Sequence, residues 1–487
     1  MRVVAASLFA AVAFVAAGCG GGGGGGGALP AVAKVVPASA PALISIRTDF
    51  NSQQFKNALV LLRRFPGAFP ALRRASVENG HVDFERDVKP ALGPEFDVVW
   101  LDFKNGGDDF VGLTQPRDKA KFKALANKGE NKSATGEVNG WSVIADTQSQ
   151  IDAFRRASSG DHLDGVGEFK DAMSKLDENA AVRAYVAGEP VQRELDRALK
   201  GSGAPANLTR DGVARMESIS AAGLIERGGV RAESALDTDP AANPKTVKPT
   251  LAGSLPSGAL LYVDTADLAA PTRTILKLVS RSQPKFETQL HQVETVVGLS
   301  LEKDIYPLLS QEEAFALYRE TPIPKIAFVA KAPEEGRARE VLGHVLSLAK
   351  LSGELKVSTF SLGGVEVDDL SQPGGSVHVF VAVGHDKLIV ATARELLPTL
   401  IAGTGAKLAD DPLYKQALAD SKMPSKVVGM AYADLAHGLP FAFDLALANG
   451  SDVPNEARAN TEALSHALLW AHQDGNRFTL SGFLAIK

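Results

Sequence analysis

The 487 residues carry 52 Lys and Arg against 57 Asp and Glu, a formal net charge of −5. Hydrophobic residues make up 45% and charged ones 22%, the values of an ordinary globular chain long enough for two or more domains. That balance argues against the clustered basic face of a nucleic-acid binder, and the single cysteine excludes a disulfide framework or a zinc ribbon.

The chain opens MRVVAASLFAAVAFVAAGC. Arg2 precedes an apolar run from Val3 to Ala17 that ends in small residues, the order of a secretory signal peptide over residues 1–18. At about 15 residues the run falls short of the roughly 20 needed to span a bilayer. Ala16-Ala17-Gly18-Cys19 resembles the lipobox of bacterial lipoproteins, with Ala16 where that family prefers leucine. The resemblance implies cleavage before Cys19, diacylglycerol on its thiol, and a further acyl chain of the palmitate type on the new amino terminus. Two or three chains hold a protein stably where one does so marginally. The expected location is therefore the extracytoplasmic side of a bacterial membrane, contacted through the lipid.

Gly20–Gly27 have no strand before them and no helical pattern after them, so they read as a flexible tether and not as a phosphate loop. Pro30, Pro37 and Pro41 extend that spacer, so that residues 19–41 are expected to lie outside the folded body. The arginine pairs Arg63-Arg64 and Arg73-Arg74 sit in helix-like patterns and read as solvated helix faces.

The rest of the chain repeats itself. FERDVKPALGPE (84–95) matches LEKDIYPLLSQE (301–312) at a spacing of 217 residues, with Glu85/Glu302, Asp87/Asp304, Pro90/Pro307, Leu92/Leu309 and Glu95/Glu312 identical. The same spacing aligns ALISIRT (42–48) with ALLYVDT (259–265). GEFKDAM (167–173) resembles DPLYKQAL (411–418), and each half closes on a glycine-containing hairpin pattern. These matches predict two copies, 42–236 and 257–487, joined by a proline-rich linker over 237–256.

Within each copy, short alternating runs such as EAFALYR and KIAFVAKA point to half-buried strands, and the short turn ETPIP between them makes those two antiparallel. Ala338, Val341, Leu342, Val345, Leu346 and Ala349 form an amphipathic stripe. The expected class is α+β: two tandem units, each a mainly antiparallel sheet with helices on one face. VHVFVAVGHDKLIVAT reads as an extra hairpin in the second copy.

Chemistry is sparse. The nine histidines show no metal-ligand spacing. His378 with His385 would meet only across that hairpin, and His466 with His472 flank the last one. Two Ser-x-x-Lys matches, Ser282/Lys285 and Ser347/Lys350, lack the accompanying K-T-G element. No cofactor, metal or catalytic set is expected. The repeat-shared carboxylates Glu85, Asp87, Glu302 and Asp304 are the residual candidates, either as matching ligand sites or as helix caps and turn formers.

VDFERDVKPALGPEFDVVWL, VPASAPALISIRTDF and FKNALVLLRRFPG resemble a family of secreted or membrane-anchored bacterial proteins known only as a domain of unknown function. The resemblance implies a duplicated extracytoplasmic α+β body and no assigned reaction. The expected function is that of a non-enzymatic, lipid-anchored envelope protein binding a ligand or protein partner. Envelope assembly, or a hydrolase using distant carboxylates, are the alternatives.

Overall fold

The computed structural model describes residues 27–74, 82–128, 132–201, 215–239, 243–352, 354–375 and 377–487. Its strands in the first half are β1 (Ala42–Arg47), β2 (Glu95–Trp100), β3 (Phe110–Thr114), β4 (Ala134–Val138), β5 (Trp141–Ala145), β6 (Val182–Ala187), β7 (Arg215–Glu226) and β8 (Gly229–Asp239). The second half holds β9 (Leu261–Thr265), β10 (Glu313–Tyr318), β11 (Lys325–Lys331), β12 (Lys356–Leu362) and β13 (Val365–Ser371). It ends with β14 (His378–Gly384), β15 (Lys387–Ala391), β16 (Gly429–Asp434), β17 (Leu464–Asp474) and β18 (Arg477–Ile486).

All these strands form one antiparallel sheet, so the class is α+β. From the β8–β18 junction the order outward is β7-β6-β1-β2-β3-β5-β4 on one side. On the other it is β17-β16-β9-β10-β11-β15-β14-β13-β12. The two orders correspond strand for strand until β13 and β12. The added hairpin of the second half is therefore Lys356–Ser371. The hairpin 378–391 is instead the counterpart of β4–β5, because β15 pairs with β11 as β5 pairs with β3.

The strand register also adjusts the alignment of ALISIRT. Leu43 pairs with Tyr185 as Tyr262 pairs with Tyr432, so Leu43 matches Tyr262, two residues beyond the ungapped alignment. An even shift preserves which side chains face the core.

Helices cover both faces in the first half, not one. Leu43 and Val99 pack with Ile151, Phe154, Phe169 and Met173 of the helices Gln148–Ala157 and Gly167–Ser174. The neighbouring residues Val98 and Ile46 pack on the opposite side, with Phe122 and Leu125 of the helix Lys119–Ala126. Runs such as FDVVW have no polar alternation, which is the pattern of a strand buried on both faces. Below, the side of Leu43 is the inner face and the side of Val98 the outer.

The predicted tether is shorter than expected. Pro30–Ala40 is docked: Val32, Ala33, Val35, Val36 and Ala40 are core residues of the first half. The Gly27 N–H donates to Ser174 O (2.7 Å), and the Leu163 N–H donates to Val36 O (2.9 Å). The predicted linker is likewise structural. β8 runs on to Asp239, and Leu251, Ala252 and Leu255 enter the second core. There the Leu408 N–H donates to Leu255 O (2.9 Å), the counterpart of the bond at Val36. The shared pattern P-x-[VL]-A-x-x-[VL]-P, at 30–37 and 249–256, puts apolar residues on one side of a short 3₁₀ turn in each half. Proline content alone suggested an open chain; the valines and leucines between the prolines determine otherwise.

Candidate functional site

The repeat-shared carboxylates serve their own halves. Asp83 and Ser300 cap matching π-helical turns, Phe84–Val88 and Leu301–Ile305, by accepting from the Arg86 N–H (2.8 Å) and the Lys303 N–H (3.4 Å). Asp87 and Asp304 return the bond, accepting from the Asp83 N–H (2.8 Å) and the Ser300 N–H (2.7 Å). Asp87 also accepts from Lys128 and from Arg86 Nε (3.2 Å), and Asp304 from Arg337. Burial works against ionising Asp87, but the hydrogen bonds from Arg86 and Lys128 hold it well below the usual carboxylate range. Glu85 is exposed and pairs with Lys89 (2.9 Å), and Glu302 pairs with Arg273 (3.1 Å). The pairs in the two halves are not brought together. Cys19 lies outside the described residues.

The histidine pairs do not meet. His378 starts β14 and His385 follows its end, so about 24 Å of extended chain separates them. His378 binds Asp369 (2.7 Å), and His385 takes a positive φ (54°) in the hairpin turn with Asp386. His466 and His472 lie on one face of β17, about 20 Å apart. His466 is buried and 3.2 Å from Asp420; burial lowers its pKa more than that carboxylate raises it. No group of three or more His, Cys, Asp or Glu among the described residues could hold a metal ion.

The ionisable residues that sequence reasoning passed over lie on the inner face. One row of directly paired residues crosses ten strands: Asp97, Ser45, Arg183, Ala222, Glu233, Ser481, Trp470, Met430, Asp264 and Ala314. Asp97 and Asp264 are fully buried near its two ends, eight strand spacings or about 38 Å apart. Burial raises both carboxyls, Asp97 well above the ordinary range and Asp264 to about 8. Tyr262 donates its hydroxyl to Asp264 (2.5 Å), while Ser45 gives its own to Glu95 (2.7 Å) and neither oxygen of Asp97 has a hydrogen-bond partner. The signal was present in the sequence as the period-2 spacing Tyr262-x-Asp264, which places both side chains on one face of a strand.

Near Asp97 lies a cleft of about 280 Å³ lined by Ala28–Ala31, Arg47, Glu95, Glu178, Asn179 and Arg183. Arg47 donates to Glu178 O (2.5 Å) and Arg183 to Ala28 O (2.6 Å). In the second half the counterpart of Glu95 is bound to the entering chain. Glu312 accepts from the Thr250 N–H (2.5 Å), the Leu251 N–H (2.9 Å) and the Thr250 hydroxyl (2.7 Å), and pairs with Lys331 (2.5 Å). Of the two matching glutamates only Glu312 holds the segment that precedes its first strand; Glu95 accepts from Ser45 within β1. Nothing in this geometry pairs a solvent-reachable nucleophile with a base.

No helix among the described residues is long and apolar enough to cross a membrane. The chain has no match among curated proteins. Among solved structures it is similar to crystal form IV of TP0453, at 10% identity and a TM-score of 0.25, covering 50% of this chain and 94% of that one. Crystal form I of the same protein gives 12% identity, a TM-score of 0.25, and coverage of 49% and 79%. At those scores the likeness carries no argument. The model of the family described as "Protein of unknown function (DUF3352)" matches residues 123–466, which run from within the first half, through β8, to the start of β17. The chain belongs to that family of unknown function.

Proposed function

We propose that this is a non-enzymatic, lipid-anchored protein of the bacterial envelope, whose body arose by duplication and binds a ligand or protein partner. The observation that carries the reading is where the folded body starts. Gly27 already donates to Ser174 O (2.7 Å), so the packed body is reached within eight residues of Cys19. Eight residues span at most about 28 Å, so an acylated Cys19 would hold the body close to the bilayer surface. The matching strand orders and the paired bonds at Val36 and Leu255 support duplication. The separation of the carboxylate pairs, each engaged by local lysine or arginine, weighs against a two-carboxylate hydrolase, which needs its acids within about 10 Å of each other.

Expression of the intact chain in a bacterial host, with membrane fractionation and mass measurement of the amino-terminal peptide, tests the anchor. A triacylated or diacylated Cys19, and release of Cys19→Ala into the soluble fraction, are expected. A mature chain with a free Cys19 thiol would overturn the reading.

A further inference from the structure

On the outer face, Phe315, Phe328 and Val390 of the second half are half-buried where their first-half counterparts, Val98, Gly112 and Ile144, are buried. Val390, Phe328, Phe315, Val263, Ala431 and Leu469 pair one after another across six strands. At about 4.8 Å per strand this apolar row is about 24 Å long. A second apolar row, from Ile326 to Ala467, runs beside it. None of these residues is buried, and Leu469 is 36% exposed. Val98, which occupies the place of Phe315 in the first half, is buried against Phe122 and Leu125.

The helices after the first strand of each half differ as well. The helix Gln53–Leu62 is tied to β7: Asn57 donates to Ile225 O (2.8 Å), and the Ile225 N–H donates to Gln54 (2.6 Å). Its counterpart is a longer helical hairpin, Ala269–Ser282 and Pro284–Val297. That hairpin is held at its base, where Arg273 pairs with Glu302 and Glu294 accepts from the Leu301 N–H (2.7 Å). Along its length Ile275, Val293 and Val296 stay 60%, 57% and 81% exposed. From Leu268 to Phe286 there is no acidic residue, while Arg273, Lys277, Arg281 and Lys285 recur at four-residue steps. Lys277 and Lys285 are exposed, one on each helix of the hairpin.

We propose that this open face is a lipid-binding groove, in which an acyl chain of an anionic lipid lies along the apolar row and the exposed lysines of the hairpin, Lys277 and Lys285, meet the head group. The length of the row suits a long acyl chain, and its apolar side chains exclude a polar ligand. Arg273 is already paired with Glu302, which leaves the exposed Lys277 and Lys285 to meet a negative head group. The proposal rests on reading the body as a binder and does not depend on the anchor at Cys19.

The test uses the full chain with Cys19→Ala, so that no covalent lipid contributes. The protein is mixed with vesicles of phosphatidylglycerol or phosphatidylcholine, re-isolated by gel filtration, and weighed by native mass spectrometry. Retention of at least one phosphatidylglycerol per chain is expected, with several-fold less phosphatidylcholine. Phe315→Glu reduces retention at least tenfold, and Lys277→Glu with Lys285→Glu removes the preference for the anionic lipid. Phe315→Ser, with circular dichroism on each variant, replaces the first substitution if that one does not fold. No retained lipid, or equal retention by the Phe315 variant, overturns the groove. A photo-crosslinker at position 315 separates the two failures. Crosslinks to a second copy or to an envelope protein, without lipid, sink the groove and leave the binder standing. Neither lipid nor crosslink sinks both.

Discussion

Asp264 and Glu313 lie one strand apart, both essentially without exposure, and burial pushes each carboxyl up to about 8. A carboxyl whose folded pKa is raised binds its proton more tightly folded than unfolded. Its stabilising contribution is full below the ordinary carboxylate range, declines as pH rises above about 4, and is lost above about 8. Glu312 behaves oppositely. Burial opposes ionisation, but hydrogen bonds from Lys331 and Thr250 lower its pKa, so its contribution is lost only as pH falls below the usual carboxylate range. Asp264→Asn keeps the shape and removes one of the raised carboxyls. Its melting temperature should therefore fall less than the parent's between pH 5 and 8, a difference on the order of a few kcal/mol. Parallel melting profiles for the two proteins would sink this account. Sequence reasoning overlooked Asp264 because a lone carboxylate in an alternating strand reads as solvent-facing. Only the register of β9 against β10 and β16 turns it inward.

The shared carboxylates separate into two kinds at the level of elements. Glu312 caps the turn that opens the second unit, so Glu312→Ala leaves buried N–H groups and Lys331 without their acceptor. The expected loss is about 2 kcal/mol or more in chemical denaturation. Glu302 forms an exposed pair, and Glu302→Ala should cost less than about 1 kcal/mol. Equal losses would contradict the assignment of Glu312 as the capping group. The matching π-helical turns were legible because Pro90/Pro307, Leu92/Leu309 and the carboxylates fall in short motifs whose local geometry demands them. The docking of Pro30–Ala40 and of Leu251–Leu255 was not, since a few apolar residues among prolines show no period from which a partner could be inferred. Val36→Asp would place an unpaired charge in the first core. Loss of about 3 kcal/mol or more is expected, read as early cleavage of the first half in limited proteolysis.

Across the whole molecule the halves are fused through β8 and β18. Their pairing runs from Arg477↔Asp237 to Ala485↔Gly229. At one end Arg477 donates to Asp237 (2.8 Å) and Ser220 (3.0 Å), and Ser218 donates to Asp237 (2.9 Å). At the other, Arg231 lies over the Phe483 ring (4.9 Å) and donates to the carbonyls of Ser421 (2.8 Å) and Asp420 (2.5 Å). Arg477→Ala removes the nearer cation from buried Asp237 and leaves it only Lys175 at 3.9 Å, at a cost of about 3 kcal/mol. Calorimetry should then show the single unfolding transition of the parent split in two, one for each half. A variant that still melts in one transition would mean that the rest of the edge suffices for coupling.

The amino-acid order alone determined the α+β class, because it follows from local hydrophobic patterns and short turn motifs that act within a few residues. Strand order, the second covered face, the burial of Asp97 and Asp264, and the open outer face of the second half came only from the tertiary structure. Each depends on which strands pair and which helix lies across them, and those pairings join residues up to several hundred positions apart. The hairpin Ala269–Val297 illustrates the division. Its basic spacing is written in the sequence, but whether its apolar side closes onto the sheet is decided by the bonds at its base.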